Sequence, residues 1–351
     1  RQVAERLHPE DRELLPFDAK RIDWDDYIIN RHVPGLLSFV LGTGSEPSAR
    51  IRGMAGWDDG RGVAETIGPG ETIFSVFERT AGRLATKPAL QIRREGRWVR
   101  YTFDEALRAT GTIMRRFLER GLLPGDRVAI CAENGPEWGL AYLAVMRAGM
   151  TAVPLDPQLP PAEAWAAARF ARARLMCAGV STFDDLSVHR GEEDVELVKL
   201  REPFIPPAGA SRDPEPDPVA ADDSSIASIL FTSGTTIAPK AVPLTHRNLL
   251  ANASALLRVH PIRPADEMLS VLPLYHAFEF TGGFLVPMVC GATVTYVDQL
   301  KGAEILAAMQ ATGTTIMLAV PRLLKMFYDS IEGGVASSGL LRRGLFRLLG
   351  F

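Results

Sequence analysis

The segment LLPGDRVAICAENGPEWGLAYLAVMRAGMTAVPLDP, from Leu122 to Pro157, constrains the fold more than any other part of this chain. Arg127 to Cys131 is a short apolar run led by a turn, which reads as a strand. Pro136 to Ala148 reads as a helix with proline at its start and Gly149 closing it. Thr151 to Leu155 reads as a second buried strand. Strand, helix and strand in this order make a βαβ unit, whose two strands must lie parallel in one sheet with helices covering its faces. The fold class is therefore α/β.

Other segments fit that frame. Ile73 to Ala85 predicts a helix, and ALQIRREGRWVRYTF predicts two strands joined at Glu95-Gly96. Thr102 and Glu105 form a T-x-x-E capping box. The helix it opens carries Thr110, Ile113, Met114, Phe117 and Gly121 on one stripe, the pattern of a helix lying on a sheet. Ser228 to Phe231 predicts a strand, and Thr245 caps a helix through Asn248, Leu249 and Ala255. Phe280 to Val297 runs eighteen residues without a charge, near the lower limit for a membrane span. Pro287, Gly291 and the alternation in ATVTYV favour a buried helix followed by a buried strand. Residues 1–62 read as a leading tail and linker, and 201–225, rich in proline and acid, as a mobile surface connection.

Composition narrows the function. The chain has 351 residues, a net charge of −3 and 46% hydrophobic content, enough for a substantial core. Its balanced charges leave no basic surface for nucleic acid. Cys131, Cys177 and Cys290 form no C-x-x-C pair, and the six histidines show no ligand spacing, so neither a disulfide framework nor a protein-held metal is expected. The reading is a cytoplasmic protein without a transmembrane segment, with peripheral membrane contact left open.

The chemistry concentrates in LFTSGTTIAPKAVPLTH, Leu230 to His246. By composition, Ser, Thr and Gly between two strands can make a plain hairpin turn. They can equally hold an anion: Thr232, Ser233, Thr235 and Thr236 supply hydroxyls, Gly234 lets backbone N–H groups approach, and Lys240 adds positive charge. The stretch does not follow G-x-x-x-x-G-K-[ST], because its lysine follows a proline and precedes the strand-like AVPL. It resembles the TSGTTGxPKGV signature of adenylate-forming enzymes, the superfamily of acyl-CoA synthetases, luciferases and peptide-synthetase adenylation domains. Ile237 and Ala241 stand where that family has glycine. The GDRVAI strand, the N-x-P-E-W helix start and the PLDP strand also resemble that family.

Further on, SVLPLYHAFEF, Ser270 to Phe280, is similar to the LPL-x-H-x-FE element of long-chain fatty acyl-CoA synthetases. A histidine among apolar residues is by default a satisfied core group. The resemblance instead implies that His276 borders the reaction centre and donates a hydrogen bond to carboxylate or phosphoryl oxygen. With it, Phe278 and then Gly282, Gly283 and Phe284 would line an acyl tunnel, against the alternative that these small residues serve close helix packing. Arg322, in Val320-Pro321-Arg322, is expected to be structural.

The resemblance implies two steps: a fatty carboxylate attacks the α-phosphorus of ATP and expels pyrophosphate, then a thiol takes the acyl group. Its cofactors would be ATP with Mg²⁺, the ion reaching Thr235 or Thr236 through ATP, and coenzyme A, an acyl-carrier protein being the alternative acceptor. Two anions about 4 Å apart repel by roughly 4 kcal/mol at an effective dielectric near 20, which Lys240 and the loop N–H groups would offset. The expected fold is the large N-terminal domain of these enzymes over residues 63–351, incomplete at its C-terminal side. The Y-G-x-T-E and T-G-D elements, the magnesium-binding glutamate and the terminal lysine domain have no counterpart here, so the chain alone is expected to be inactive. FDAKRIDWDDYIINRHVPGLLSFVL is similar to the closing segment of fatty acyl-CoA reductases, an amphipathic helix being the plain alternative. That similarity raises a fused reductase as a partner, with the chain handing acyl groups to it or to a carrier protein. A catalytically silent nucleotide- or acyl-binding module is the other reading, favoured by Ile237 and Ala241.

Overall fold

A computed structural model describes residues 67–190, 195–201, 204–209, 216–232 and 240–325. The tail expected over 1–62 and the loop residues Ser233, Gly234, Thr235, Thr236 and Ile237 lie outside them.

The chain begins with α1 (Ile73–Arg83), then the hairpin β1 (Pro88–Arg94) and β2 (Arg97–Thr102), and α2 (Phe103–Leu118). At the hairpin tip Glu95 and Gly96 both take positive φ, 49° and 76°, the turn that matches strand twist. There follow β3 (Arg127–Cys131), α3 (Pro136–Arg147), β4 (Thr151–Leu155), α4 (Pro161–Phe170), β5 (Ala173–Ala178), α5 (Val180–Val188), β6 (Glu196–Lys199), and the antiparallel pair β7 (Ile226–Thr232) and β8 (Lys240–Thr245). Next come α6 (His246–Val259), β9 (Glu267–Ser270), α7 (Ala277–Glu279), a π-helical turn (Phe280–Leu285), α8 (Val286–Cys290), β10 (Thr293–Val297), α9 (Gly302–Thr312) and β11 (Ile316–Met317).

The strands form two sheets, ordered β11-β9-β10-β1-β2 and β6-β5-β3-β4-β7-β8. The first is parallel except for β2, the second parallel except for β8. The βαβ expectation holds: β3 and β4 pair in parallel from Arg127↔Thr151 to Cys131↔Leu155. Their helix α3 lies between the sheets, touching β1 of one and β3 and β4 of the other. Every residue from Trp138 to Arg147 is buried, which explains why this helix lacks a polar face.

Gly139 makes the layer possible. A Cβ there would stand 2.8 Å from Phe284 and 3.2 Å from Leu90, closer than packed side chains tolerate. Trp138 and Tyr142 stack with centroids 5.5 Å apart, and Phe280 and Phe284 pack on them at 4.9 Å from Tyr142 and 5.6 Å from Trp138. Tyr142 Oη also bonds Ser228 Oγ at 2.7 Å, tying the layer to β7.

The expected capping box at Thr102 and Glu105 is present, and Thr72 and Thr245 cap α1 and α6 in the same way through Ser75 and Asn248. The uncharged run becomes the π-helical turn, α8 and β10, with Gly291 at φ 90° ending the helix. No helix among the described residues is long and apolar enough to cross a membrane. The described parts of the proline-rich connection differ from the free surface segment expected. Phe204 and Ile205 are buried, Tyr101 Oη donates to the Pro206 carbonyl at 2.9 Å, and buried Arg147 donates to that of Pro216 at 3.0 Å. Two large apolar side chains and two carbonyl bonds outweigh the polar composition of the segment.

His246, the first residue of α6, is buried and its Nδ1 accepts the Ile73 N–H at 3.2 Å, joining α6 to α1. That bond needs an unprotonated Nδ1, and burial lowers the pKa to about 4, opposed by Asp223 and Asp222. The folded value lies below the unfolded one, so this contribution is whole above about pH 6.5 and is lost as pH falls towards 4. Urea unfolding should show wild type losing up to about 3 kcal/mol more than His246→Asn over that window. Equal losses in both proteins would contradict the assignment.

Candidate functional site

The carboxyl ends of β4 and β7 open onto a pocket of about 530 Å³. Such ends are the usual place for ligands in parallel sheets, because the loops leaving them diverge. Leu155 ends β4 and Asp156 follows it, Phe231 and Thr232 end β7, Leu159, Glu163 and Phe170 come from α4 and the turn before it, and Tyr275 with His276 closes the other side. The walls are apolar, with Phe170 and Phe231 in tilted contact at 6.3 Å. The polar groups gather at Asp156, Glu163, Thr232, Tyr275 and His276. A pocket of this size and lining suits a ligand with an apolar body and a polar end.

Tyr275 and His276 lie on a segment that side chains from elsewhere hold. Asn134, in the turn before α3, donates from Nδ2 to the Leu272 carbonyl at 2.6 Å and accepts the Leu274 N–H at 3.0 Å. The His276 N–H donates to the Pro273 carbonyl, and the His276 carbonyl accepts the Phe280 N–H at 2.9 Å, so His276 sits at the point where the turn becomes helix. Its ring lies 4.3 Å from that of Tyr275. Burial first, then the hydrogen-bonding pull and the charge of the neighbouring Asp156 carboxylate, push the Tyr275 phenol up to about 12. Asp156 also accepts the Gln158 N–H at 2.8 Å.

Thr232 and Lys240 are direct partners across the antiparallel β7–β8 pair. Thr232 lines the pocket, and Lys240 is exposed opposite it. Ala241, one of the two departures from the glycine pattern, pairs with Phe231 and is 5% exposed, its methyl packed into the core of this sheet. Ile237 lies outside the described residues.

The structure thus brings Thr232 and His276 to one pocket, and Lys240 pairs with Thr232 across the β7–β8 rung. His276 is exposed there, not the enclosed core histidine that its apolar neighbours suggest. Phe278 is half-buried two residues away. Gly282, Gly283 and Phe284 do not line the pocket and are buried in the π-helical turn, with Gly282 against Leu318, Gly283 against Glu279 and Phe284 against Trp138 and Tyr142. These are helix-packing contacts. Arg322 is exposed, within the helical residues 321–325. Sequence reasoning missed Asn134, Asp156, Tyr275, Phe170 and Phe231, although Asp156 directly follows a predicted parallel strand.

Three buried cysteines offer no nucleophile: burial drives the thiols of Cys131 and Cys290 up to about 12, and that of Cys177 upward as well. Among the described residues no three His, Cys, Asp or Glu side chains converge to hold a metal ion.

The family described as AMP-binding enzyme matches residues 77–346. Long-chain-fatty-acid–CoA ligase 5 of Rattus norvegicus is 30% identical over 303 residues, covering 75% of this chain and 42% of the relative. Sulfoacetate–CoA ligase of Cupriavidus necator is 26% identical over 270 residues, covering 75% and 52%. The inhibitor-bound N-terminal domain of FACL13 from Mycobacterium tuberculosis has the same fold, with a TM-score of 0.66 at 22% identity over 73% of this chain and 65% of that one. The chain spans about half the length, or less, of the curated relatives it matches.

Asn134→Leu removes both bonds to the 272–274 segment and leaves a carbonyl and an N–H to find other partners. Unfolding in urea should show a loss of about 1–3 kcal/mol. A change within about 0.5 kcal/mol would show that Asn134 does not hold the segment.

Proposed function

The chain belongs to the AMP-binding enzyme family, and we propose that it supplies the nucleotide and carboxylate site of an ATP-dependent ligase that activates a fatty acid. The observation that carries the reading is the meeting of Thr232, the strand partner of Lys240, with His276 in the pocket at the carboxyl ends of β4 and β7. Thr232 and Lys240 flank the loop from 233 to 239, so a triphosphate held by Ser233, Gly234, Thr235 and Thr236 has the lysine at one side. Mg²⁺ would arrive with the ATP phosphates and the Thr235 or Thr236 hydroxyl.

His276, across the pocket, donates a hydrogen bond to the carboxylate or to a phosphoryl oxygen. With both anions held, a carboxylate oxygen attacks the α-phosphorus, the bond to the β-phosphate oxygen breaks, and pyrophosphate leaves. A thiol then attacks the acyl carbon and AMP leaves, the thiol proton passing to solvent. Coenzyme A is the proposed acceptor, with an acyl-carrier protein as the alternative.

A fatty substrate is supported by the apolar walls formed by Leu155, Leu159, Phe170 and Phe231, and by the likeness to the rat long-chain ligase. The sulfoacetate ligase shows that acids differ widely among the relatives. The silent-module reading draws on Ile237 and Ala241, and Ala241 fits its strand as a buried methyl. A fused reductase and the 1–62 tail stand as proposals resting on the sequence similarity alone.

Equilibrium dialysis of ATP against the 351-residue chain should show at least tenfold weaker binding in Lys240→Ala, about 1.4 kcal/mol. Unaltered affinity would defeat the role given to the lysine. In the same assay a fatty acid, not sulfoacetate, should compete with an acyl-adenylate analogue, and His276→Ala should weaken that competition.

A further inference from the structure

A carboxyl group is enclosed close in sequence to His276. Glu279 ends α7, three residues after His276, and is 1% exposed. Its oxygens lie against Gly283 of the π-helical turn, in space that any larger residue would fill. Towards the sheet, Ser270 of β9 and Tyr296 of β10 are direct partners in the parallel register, so their side chains leave on the same face. Both are fully buried. Neither Glu279 oxygen has a hydrogen-bond partner of normal geometry, and the same holds for Ser270 Oγ and Tyr296 Oη, although Ser270 is near enough to favour an ionised carboxylate.

The groups facing this carboxyl are Ser270, Tyr296 and, behind Tyr296, Glu137 at the start of α3, whose own charge is held by Arg94 of β1 at 2.6 and 2.9 Å. No ion pair to Glu279 reaches it from α6 or α8, the helices packed on the turn, among the described residues. Ionising it there would strand a charge without a counter-ion.

We infer that Glu279 is a positioning residue: its uncharged carboxyl group, wedged between Gly283 and the Ser270–Tyr296 pair, fixes the π-helical turn and through it the placement of His276 at the pocket. The link is the bond from the Phe280 N–H to the His276 carbonyl, and π-helical turns of this kind recur beside functional sites. Burial raises the Glu279 pKa to about 8, so the acid form holds at neutral pH. The folded value lies above the unfolded one, so the contribution is whole below about pH 4.5 and is lost as pH rises through about 8. The inference rests on the reading of His276 as a site residue.

The test uses the full 351-residue chain without nucleotide or acid. The ring signals of His276, assigned with His276→Gln, should show a step near pH 8 in wild type and none there in Glu279→Gln, which keeps the shape and cannot ionise. Infrared difference spectra of wild type across that step should show loss of the C=O band of a protonated carboxylic acid. A step that persists in Glu279→Gln, or a wild type with no step, overturns the inference. If Glu279→Gln does not fold, the infrared band decides, and its absence at neutral pH overturns it. Neither readout depends on ATP, so failure here is distinct from unaltered nucleotide binding in Lys240→Ala.

Discussion

Gly139 lets Phe284 and Leu90 come closer to α3 than a side chain there would allow, and the contact between the two sheets rests on that approach. Because α3 is enclosed on every side from Trp138 to Arg147, both of its ends become fixed points. At the start, Asn134 holds the segment that carries His276, and Glu137 holds Arg94. At the other end, Arg147 donates to the Leu107 and Pro216 carbonyls and joins α2 to the segment leading into β7. One buried helix therefore sets the separation of the two halves of the site: Thr232 belongs to the second sheet, while His276 follows a strand of the first.

Much of this was legible because local signals agreed with the tertiary arrangement. The β3–α3–β4 unit, the Glu95-Gly96 hairpin and the Thr102 cap each depend on contacts within a few residues, where sequence is informative. Residues 156–200 carry weaker signals: β5 is buried along almost its whole length, so Ala173–Ala178 shows no alternation, and the moderate helices α4 and α5 are set by packing on it. The π-helical turn has no local signature; it arises where Phe280 and Phe284 must both reach Trp138 and Tyr142.

The site was legible in its chemistry and not in its geometry. The hydroxyl-rich loop and the histidine motif name the residue types, but the role of Asn134 spans 138 residues of sequence and the Tyr275–Asp156 proximity brings together segments that follow two distant strands. The glycines after His276 illustrate the converse. Small residues carry the same letter whether they clear a tunnel or let a helix pack, and only the neighbours of Gly282 and Gly283 distinguish the two.

The antiparallel rung between Thr232 and Lys240 carries a consequence for how this region can vary. Side chains alternate along β8, so the buried methyl of Ala241 obliges Lys240 to point the other way. The direction of the lysine is thus written in the strand and not in the loop it follows. Loop residues between 233 and 239 can be exchanged or lengthened with the lysine still facing outward, whereas a single residue added within β8 would turn it inward and bring Ala241 to the surface. Ala241 acts as a register pin, and the glycine of the signature that this segment resembles would hold the strand less firmly.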